Sequence, residues 1–195
     1  MDRHDLIAAP RELLTPRLRL ESPREAHAPA FVDSLLRTLP ALRFVGWGQL
    51  ERDLAWALQF CQRGAALFDS GECVIYNAFH HGTGRYVGRI DLHTFDFEAP
   101  RCEVGYVGDE AHAGQGLMRE AVLAVMDLGF SLGLARIHAL SDARNARALA
   151  FAQALGMQRE GLLQAYERDP QGGLCDMVMF AAISPQALQA RSVPA

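Results

Sequence analysis

The chain contains no lysine, and all nineteen of its basic residues are arginine. A Walker-type nucleotide loop needs a lysine after its last glycine to reach the outer phosphates, so that class of protein is excluded. The chain also lacks any apolar run as long as a signal-peptide core or a membrane span, and its first residues, Met1-Asp-Arg-His-Asp5, are polar. We therefore expect a protein that is neither exported nor inserted in a membrane.

Paired cysteines are missing as well. The four cysteines are scattered, and none of them stands at the spacing of a zinc knuckle or a redox pair. We interpret them as reduced, mostly buried thiols, which indicates the cytoplasm. His80-His81 lies between an apolar strand and a glycine turn, and a zinc site needs a fuller ligand set. No metal is expected.

A surplus of positive charge is absent too. The formal charge of −4 argues against nucleic acid as the main partner, because phosphate backbones attract a clearly basic surface. The 195 residues are half hydrophobic and show no repeat, low-complexity tract or linker. We expect a single domain over residues 1–195, with its core at about 15–184 and a loose tail at 185–195.

The most informative segment that is present runs from Arg101 to Ala121, where an apolar strand, a glycine turn and an amphipathic helix follow one another. Gly114 and Gly116 permit positive φ and a close approach of the backbone to a ligand. The helix that follows offers unpaired N–H groups in its first turn, which favour an anion. A dinucleotide fingerprint matches poorly, because Arg119 stands where its third glycine belongs.

Hydrophobic spacing predicts the remaining elements. One helix is expected to begin at Ser22-Pro23 and to stop at Pro40. A second helix is expected from Leu50 to Leu67, with Leu54, Leu58 and Cys61 on one stripe. Two β-rich runs joined through Gly82-Thr-Gly84 indicate a hairpin, and the helix after the glycine turn is expected to run from Gly116 to Gly133.

The ordered blocks of the chain resemble the GNAT superfamily of acetyl-CoA-dependent N-acetyltransferases, and within it the ribosomal-protein N-terminal acetyltransferases. The resemblance implies a mixed α/β fold with a mostly antiparallel sheet of about seven strands, splayed near Tyr106 and flanked by helices. It also implies acetyl-CoA as the cofactor. The matching blocks are Thr15 to Leu20, Glu103 to Tyr106, His112 to Ala121, Leu134 to Leu140, Asn145 to Met157, Glu160 to Leu163, and Asp176 to Phe180.

By this resemblance, backbone amides of the glycine loop cradle the pyrophosphate, while Val107 pairs with the pantetheine arm and Asn145 bonds it from the opposite wall. Asn145 suits a helix N-cap equally well. The family often has glutamine or arginine in place of Ala113, and glycine or alanine in place of Met118. The cofactor-binding residues implied are Val107, Ala113, Gly114, Gln115, Gly116, Leu117, Met118, Arg119, Asn145, Ala148 and Phe151.

Acetyl transfer to an amine requires a base, because a free aliphatic amine is mostly protonated at pH 7. Glu103 is the first candidate for this base, since it begins the strand that lies against the thioester in the family. Glu103 could instead be a solvated residue or an ion-pair partner of Arg101 or Arg89. Glu167 is the second candidate, on the strand after Gly161, and Asp91 on the hairpin is the third.

The family's proton donors are absent. Ala152 replaces the tyrosine found in many members, and Ala148 replaces the serine of the ribosomal subgroup. The leaving thiolate could then take its proton from water, from Tyr106 or from Tyr166. A coenzyme A thiol is a fairly good leaving group, so this loss should slow transfer without abolishing it.

The resemblance predicts an N-acetyltransferase that acts on a primary amine, either a protein N-terminus or a small molecule. Two alternatives remain open: a coenzyme A-binding regulatory module with little or no turnover, and an unrelated α/β protein whose glycine loop is only a turn. The partners expected are the amine acceptor and, as in some of the family, a second copy of the chain, so the protein would be a monomer or a homodimer.

Overall fold

The computed structural model describes residues 1–45 and 52–191. This part of the chain forms six α-helices and eight β-strands. The helices are α1 (Arg3–Ile7), α2 (Ala28–Thr38), α3 (Leu54–Asp69), α4 (Leu117–Ser131), α5 (Ala146–Ala154) and α6 (Pro185–Arg191). The strands are β1 (Glu12–Leu14), β2 (Leu18–Glu21), β3 (Val74–His80), β4 (Tyr86–Asp96), β5 (Arg101–Gly108), β6 (Arg136–Asp142), β7 (Gln158–Arg168) and β8 (Leu174–Ile183).

The strands form one sheet in the order β1-β2-β3-β4-β5-β6-β8-β7. Every neighbouring pair is antiparallel except β5 and β6, which are parallel. These two pair only where Arg101, Cys102 and Glu103 face Arg136, Ile137 and His138. Because β5 continues to Gly108 beyond this short ladder, the sheet opens on the side of Tyr106. The predicted splayed, mostly antiparallel sheet is confirmed, with eight strands in place of about seven.

Helices cover both faces of the sheet. On one face, α4 buries Ala121, Val122 and Val125 in the main core, which also contains Ile90 and Leu92 of β4. On the other face, the ring of Phe60 in α3 lies under the guanidinium of Arg89, 4.6 Å from it. Side chains of successive strand residues point to opposite faces, so β4 presents Gly88 to α4 and Arg89 to α3.

Three features differ from those expected: the start of α2, the buried stripe of α3 and the tail. Helix α2 begins at Ala28, after a 3₁₀ turn at Glu25–His27, because Arg24 is still extended (φ −139°, ψ 153°) and Pro29 takes the position in the first turn expected for Pro23. Leu54 is 47% exposed, and the buried stripe of α3 is Ala57, Cys61, Gly64 and Phe68. The expected start of that helix at Leu50 falls outside the described residues.

The third difference concerns the expected loose tail. Residues 185–191 form α6, because the hydroxyl of buried Ser184 caps it by accepting the N–H of Ala187 at 3.1 Å. The hairpin and the helix after the glycine turn are confirmed: β3 pairs with β4, and α4 begins directly after Gly116.

Candidate active site

The glycine loop has the geometry of an anion cradle. Gly114 and Gly116 have φ values of +74° and +72°, in the left-handed region that side chains other than glycine rarely adopt. A Cβ built on Gly114 would meet no atom within 4 Å, so the backbone there faces open space. Helix α4 starts at Leu117, and its first-turn N–H groups lack partners within the helix. Their partial positive charge attracts a phosphate-like group.

Arg17, the residue before β2, binds this loop. Its guanidinium donates to the carbonyl of Gln115 at 3.0 Å and to the Glu120 carboxylate at 2.6 Å. Thr15 donates to the same carboxylate, also at 2.6 Å. Although burial opposes it, these bonds lower the pKa of Glu120 below its ordinary value. Sequence reasoning missed this contact, because Arg17 and Glu120 are 103 residues apart.

A cavity of about 390 Å³ extends from this loop along the open end of β5. Its walls are the loop, α4, α5 and the segment that follows α2. The expected cofactor residues that line it are Val107, Ala113, Gly114, Gly116, Met118, Arg119, Asn145, Ala148 and Phe151. The two others lie apart: Leu117 is buried in the core, and the Gln115 amide folds back onto the carbonyl of Ala111 at 3.3 Å.

Arg119 and Asn145, which both line this cavity, form hydrogen bonds within the protein. The Arg119 guanidinium donates to the carbonyl of Ala154 at 2.8 Å, which ties α4 to the end of α5. Asn145 caps α5, since its Oδ1 accepts the N–H of Ala148 at 3.2 Å. The cap uses only Oδ1, so the Nδ2 group can still donate a hydrogen bond.

Tyr106 lies where the sheet opens. Its ring packs against Phe151 of α5, with the two centroids 5.0 Å apart. Its hydroxyl is buried and has no hydrogen-bond partner within residues 1–45 and 52–191. Burial raises the pKa of Tyr106 to about 12, so the hydroxyl keeps its proton at neutral pH.

A second cavity, of about 410 Å³, adjoins the first and shares Val45, Tyr106 and Val107 with it. Carboxylates reach it from three strands: Asp91 from β4, Glu103 from β5 and Glu167 from β7. Arg89 and His93 also line it. Tyr166, by contrast, is 54% exposed on β7 and is not among the described residues that line either cavity.

The β4–β5 register brings the first two carboxylates together. Asp91 faces Gly105, and His93 faces Glu103. The missing side chain at Gly105 gives the Asp91 carboxylate its place, since a Cβ there would lie 2.9 Å from Asp91 Oδ2. Asp91 is also paired with the guanidinium of Arg89 at 3.4 Å.

Glu103 has a different environment. Burial raises its pKa above the ordinary value, and the charges of Glu167 and Asp91 add to this rise while His93 opposes it. His138, its partner on β6, lies beside it, with Nε2 3.7 Å from Glu103 Oε2. Burial, followed by the charges of Arg136 and Arg101, lowers the pKa of His138, so that imidazole is neutral at pH 7.

No group of three or more histidine, cysteine, aspartate or glutamate side chains in the described part of the chain is arranged to hold a metal ion. Likewise, none of the helices within residues 1–45 and 52–191 is long and apolar enough to cross a membrane.

A family model described as "Acetyltransferase (GNAT) domain" matches residues 17–158, which is more than half of the chain. The chain belongs to the GNAT acetyltransferase family. Over 102 residues it is 36% identical to the uncharacterized N-acetyltransferase p20 of Bacillus licheniformis. This match covers 52% of the present GNAT chain and 57% of p20.

Solved acetyltransferases share the fold at lower identity. The microcin C7 self-immunity acetyltransferase MccE, in complex with acetyl-CoA and AMP, superposes with a TM-score of 0.80 at 15% identity over 87% of this chain and 94% of that one. RimL, a ribosomal L7/L12 alpha-N-protein acetyltransferase in complex with coenzyme A, gives a TM-score of 0.79 at 22% identity over 90% and 97%. At these identities the likeness establishes the fold alone.

Acetyl-CoA is the cofactor of GNAT acetyltransferases. The first cavity fits its chemistry at both ends. Its loop offers backbone N–H groups and uncrowded glycines to a pyrophosphate. Beyond the β5–β6 ladder, the edge of β5 that faces away from β4 offers backbone to an extended amide-bearing arm.

Proposed function

We propose that this GNAT protein transfers the acetyl group of acetyl-CoA to a primary amine by direct attack of the amine on the thioester. The observation that carries the proposal is the meeting of two unlike cavities at Tyr106 and Val107. One begins at an anion cradle, and the other contains three carboxylates against one arginine. The first suits a nucleotide-bearing acetyl donor and the second an ammonium group.

For the donor, we propose that the loop backbone from Gly114 to Met118 binds the pyrophosphate and that the main chain of Val107 binds the pantetheine arm. Ala113, Ala148 and Phe151 would form its walls. Asn145 can contribute through Nδ2 alone, because its Oδ1 caps α5. Arg119 donates to the carbonyl of Ala154 through Nε, which leaves its two Nη groups able to donate to a phosphate from the cavity wall. When bound, acetyl-CoA supplies an activated acyl group and a thiolate leaving group.

Glu103 is the base we propose. Its pKa is raised by burial and by two neighbouring carboxylates, and a carboxylate with a higher pKa is a better proton acceptor. Asp91 and Glu167 line the same cavity, so each could also contact the amine directly. Asp91, however, already forms an ion pair with Arg89. Tyr106 would donate the proton to the thiolate, since its hydroxyl is protonated, buried and without a competing partner in the described part of the chain.

The acceptor would be a protein N-terminus or a small-molecule amine. RimL, which shares the fold, is by name a protein N-terminal acetyltransferase, so peptide N-termini belong in any panel of acceptors. We also propose the cytoplasm as the compartment, since all four cysteines are free thiols. Either a monomer or a homodimer fits this proposal.

Calorimetric titration of the purified protein with acetyl-CoA, with ATP and NAD as comparisons, tests the donor site. Selective binding of acetyl-CoA is expected. Release of free thiol is then followed over a panel of amines and peptide N-termini. Lack of acetyl-CoA binding would refute the proposal.

Substitution of the base tests the chemistry. Glu103→Gln should lower kcat/KM about 100-fold at neutral pH, and by less at high pH, where the amine deprotonates by itself. Glu98→Gln makes the same change at an exposed glutamate in the β4–β5 turn, away from the residues lining either cavity, and serves as the control. An unchanged rate in Glu103→Gln would transfer the role to Glu167.

A specific observation favours a second candidate function, a coenzyme A-binding regulatory module. Neither Ala148 nor Ala152 can donate a proton, and Ala152 is fully buried in the core. Tight acetyl-CoA binding without steady thiol release for any amine would support this candidate. Steady release would exclude it.

A further inference from the structure

Two glycines face each other in neighbouring strands beneath the first turn of α4. Gly88 of β4 and Gly108 of β5 are partners in the antiparallel register. Neither has a positive φ, so their backbones do not require glycine. Their missing side chains instead leave a gap in the sheet surface, and the Met118 side chain fills it.

The fit is close at both positions. A Cβ on Gly108 would lie 2.6 Å from Met118 Cγ and 3.4 Å from its sulfur, and every atom in its way belongs to Met118. A Cβ on Gly88 would overlap the same sulfur. It would also lie 2.6 Å from the carbonyl oxygen of Val107 and 3.0 Å from the Cα of Gly108. Gly108 is thus crowded by one flexible side chain alone, whereas Gly88 is crowded by backbone as well.

Met118 is the second residue of α4, and it also lines the first cavity. In this chain, the methionine joins the start of α4 to β4 and β5 directly beside the anion cradle. Unlike the Arg17–Glu120 contact, which holds the outer side of the loop, it acts from the sheet side.

We propose that Met118 is a positioning residue: seated between Gly88 and Gly108, it fixes the first turn of α4 and so aims the N–H groups that bind the donor phosphates. The inference rests on the proposed function, in which this loop binds acetyl-CoA. A displaced first turn weakens donor binding, because the cradle's hydrogen bonds depend on orientation.

The test is two double-mutant cycles, one that combines Gly108→Ala with Met118→Ala and one that combines Gly88→Ala with Met118→Ala. The dissociation constant for acetyl-CoA is measured for each variant, and the unfolding temperature of each ligand-free variant is measured in parallel. Gly108→Ala should raise the dissociation constant about tenfold, because overpacking must displace the methionine and its turn. In a Met118→Ala background the same change should have no effect, since its only obstacle is gone. Gly88→Ala should remain harmful in that background, because the Val107 carbonyl still blocks it.

KM for acetyl-CoA should rise in Gly108→Ala while kcat at saturation falls much less, which separates positioning from loss of folded protein. If Gly108→Ala does not fold, the double variant must fold and bind as Met118→Ala does. Equal, additive losses from Gly108→Ala in both backgrounds would overturn the inference, as would a lowered unfolding temperature with an unchanged dissociation constant. Failure of the wild-type protein to bind acetyl-CoA would overturn the proposed function together with it.

Discussion

Arg37 of α2 forms an ion pair with Asp109, which follows β5 and lines the first cavity. This pair allows a quantitative prediction about stability. The guanidinium donates to both carboxylate oxygens, at 3.1 and 3.0 Å. The Asp109 side chain is only 2% exposed and also accepts the N–H of Ala111 at 2.8 Å, whereas the Arg37 side chain is 52% exposed. Arg37→Gln therefore leaves a buried carboxylate with fewer partners.

Breaking a fully buried pair costs about 3–5 kcal/mol, and breaking an exposed pair about 0–1 kcal/mol. With one partner buried and the other half exposed, we expect about 2 kcal/mol. For a chain of this length, that loss lowers the unfolding temperature by roughly 4–8 °C. Thermal unfolding followed by circular dichroism measures it, and Arg63→Gln, at an exposed arginine of α3, is the matched control.

The pH dependence has a definite sign. Burial by itself would raise the pKa of Asp109, but the bonds from Arg37 and Ala111 hold it below its ordinary value. The stabilisation is therefore present above the unfolded pKa of about 3.9 and is lost as the pH falls through the folded pKa. The deficit of Arg37→Gln should shrink in acid. A deficit at pH 7 no larger than that of Arg63→Gln, or one that grows in acid, would refute the reasoning.

Two further predictions concern catalysis. Glu167→Gln removes a charge that raises the pKa of Glu103, so the acid limb of kcat/KM against pH should move to lower pH; an unmoved limb would mean that another group titrates there. Tyr106→Phe should lower kcat about 100-fold with acetyl-CoA, and by less with a thioester whose thiol has a lower pKa, because that thiolate needs less help in leaving. Equal losses with both donors, measured by thiol release, would remove Tyr106 as the acid.

Sequence predicts well those features that depend on residues close together in the chain. Gly114, Gly116 and the apolar spacing after them specify the loop and α4 within a short segment. The start of α2 is less certain from sequence, because Pro23 and Pro29 both suit a first turn. Tertiary packing decides between them: Pro23 lies against Gly64 of α3, and its segment stays extended.

The contacts that position the site are not local, so sequence does not reveal them. Arg17 meets Glu120 across 103 residues, and Arg37 meets Asp109 across 72. Gly88 and Gly108 have ordinary negative φ values, so a glycine at either place gives no turn signal. Only the structure shows that the Met118 side chain occupies the space left by these two glycines.

The candidate base illustrates the same limit at the level of chemistry. From the sequence, Glu103 ranks first, Glu167 second and Asp91 third as the proton acceptor, but all three are carboxylates on strands and their environments are not visible there. Their differences come from the sheet: Asp91 faces a glycine and pairs with Arg89, while Glu103 is the last residue of β5 that pairs with β6 and lies beside a neutral histidine. Partial burial beside two other carboxylates favours the neutral acid at Glu103, and the same conditions make its carboxylate a stronger base once it ionises. The end of the β5–β6 ladder therefore both opens the sheet and distinguishes Glu103 from its rivals.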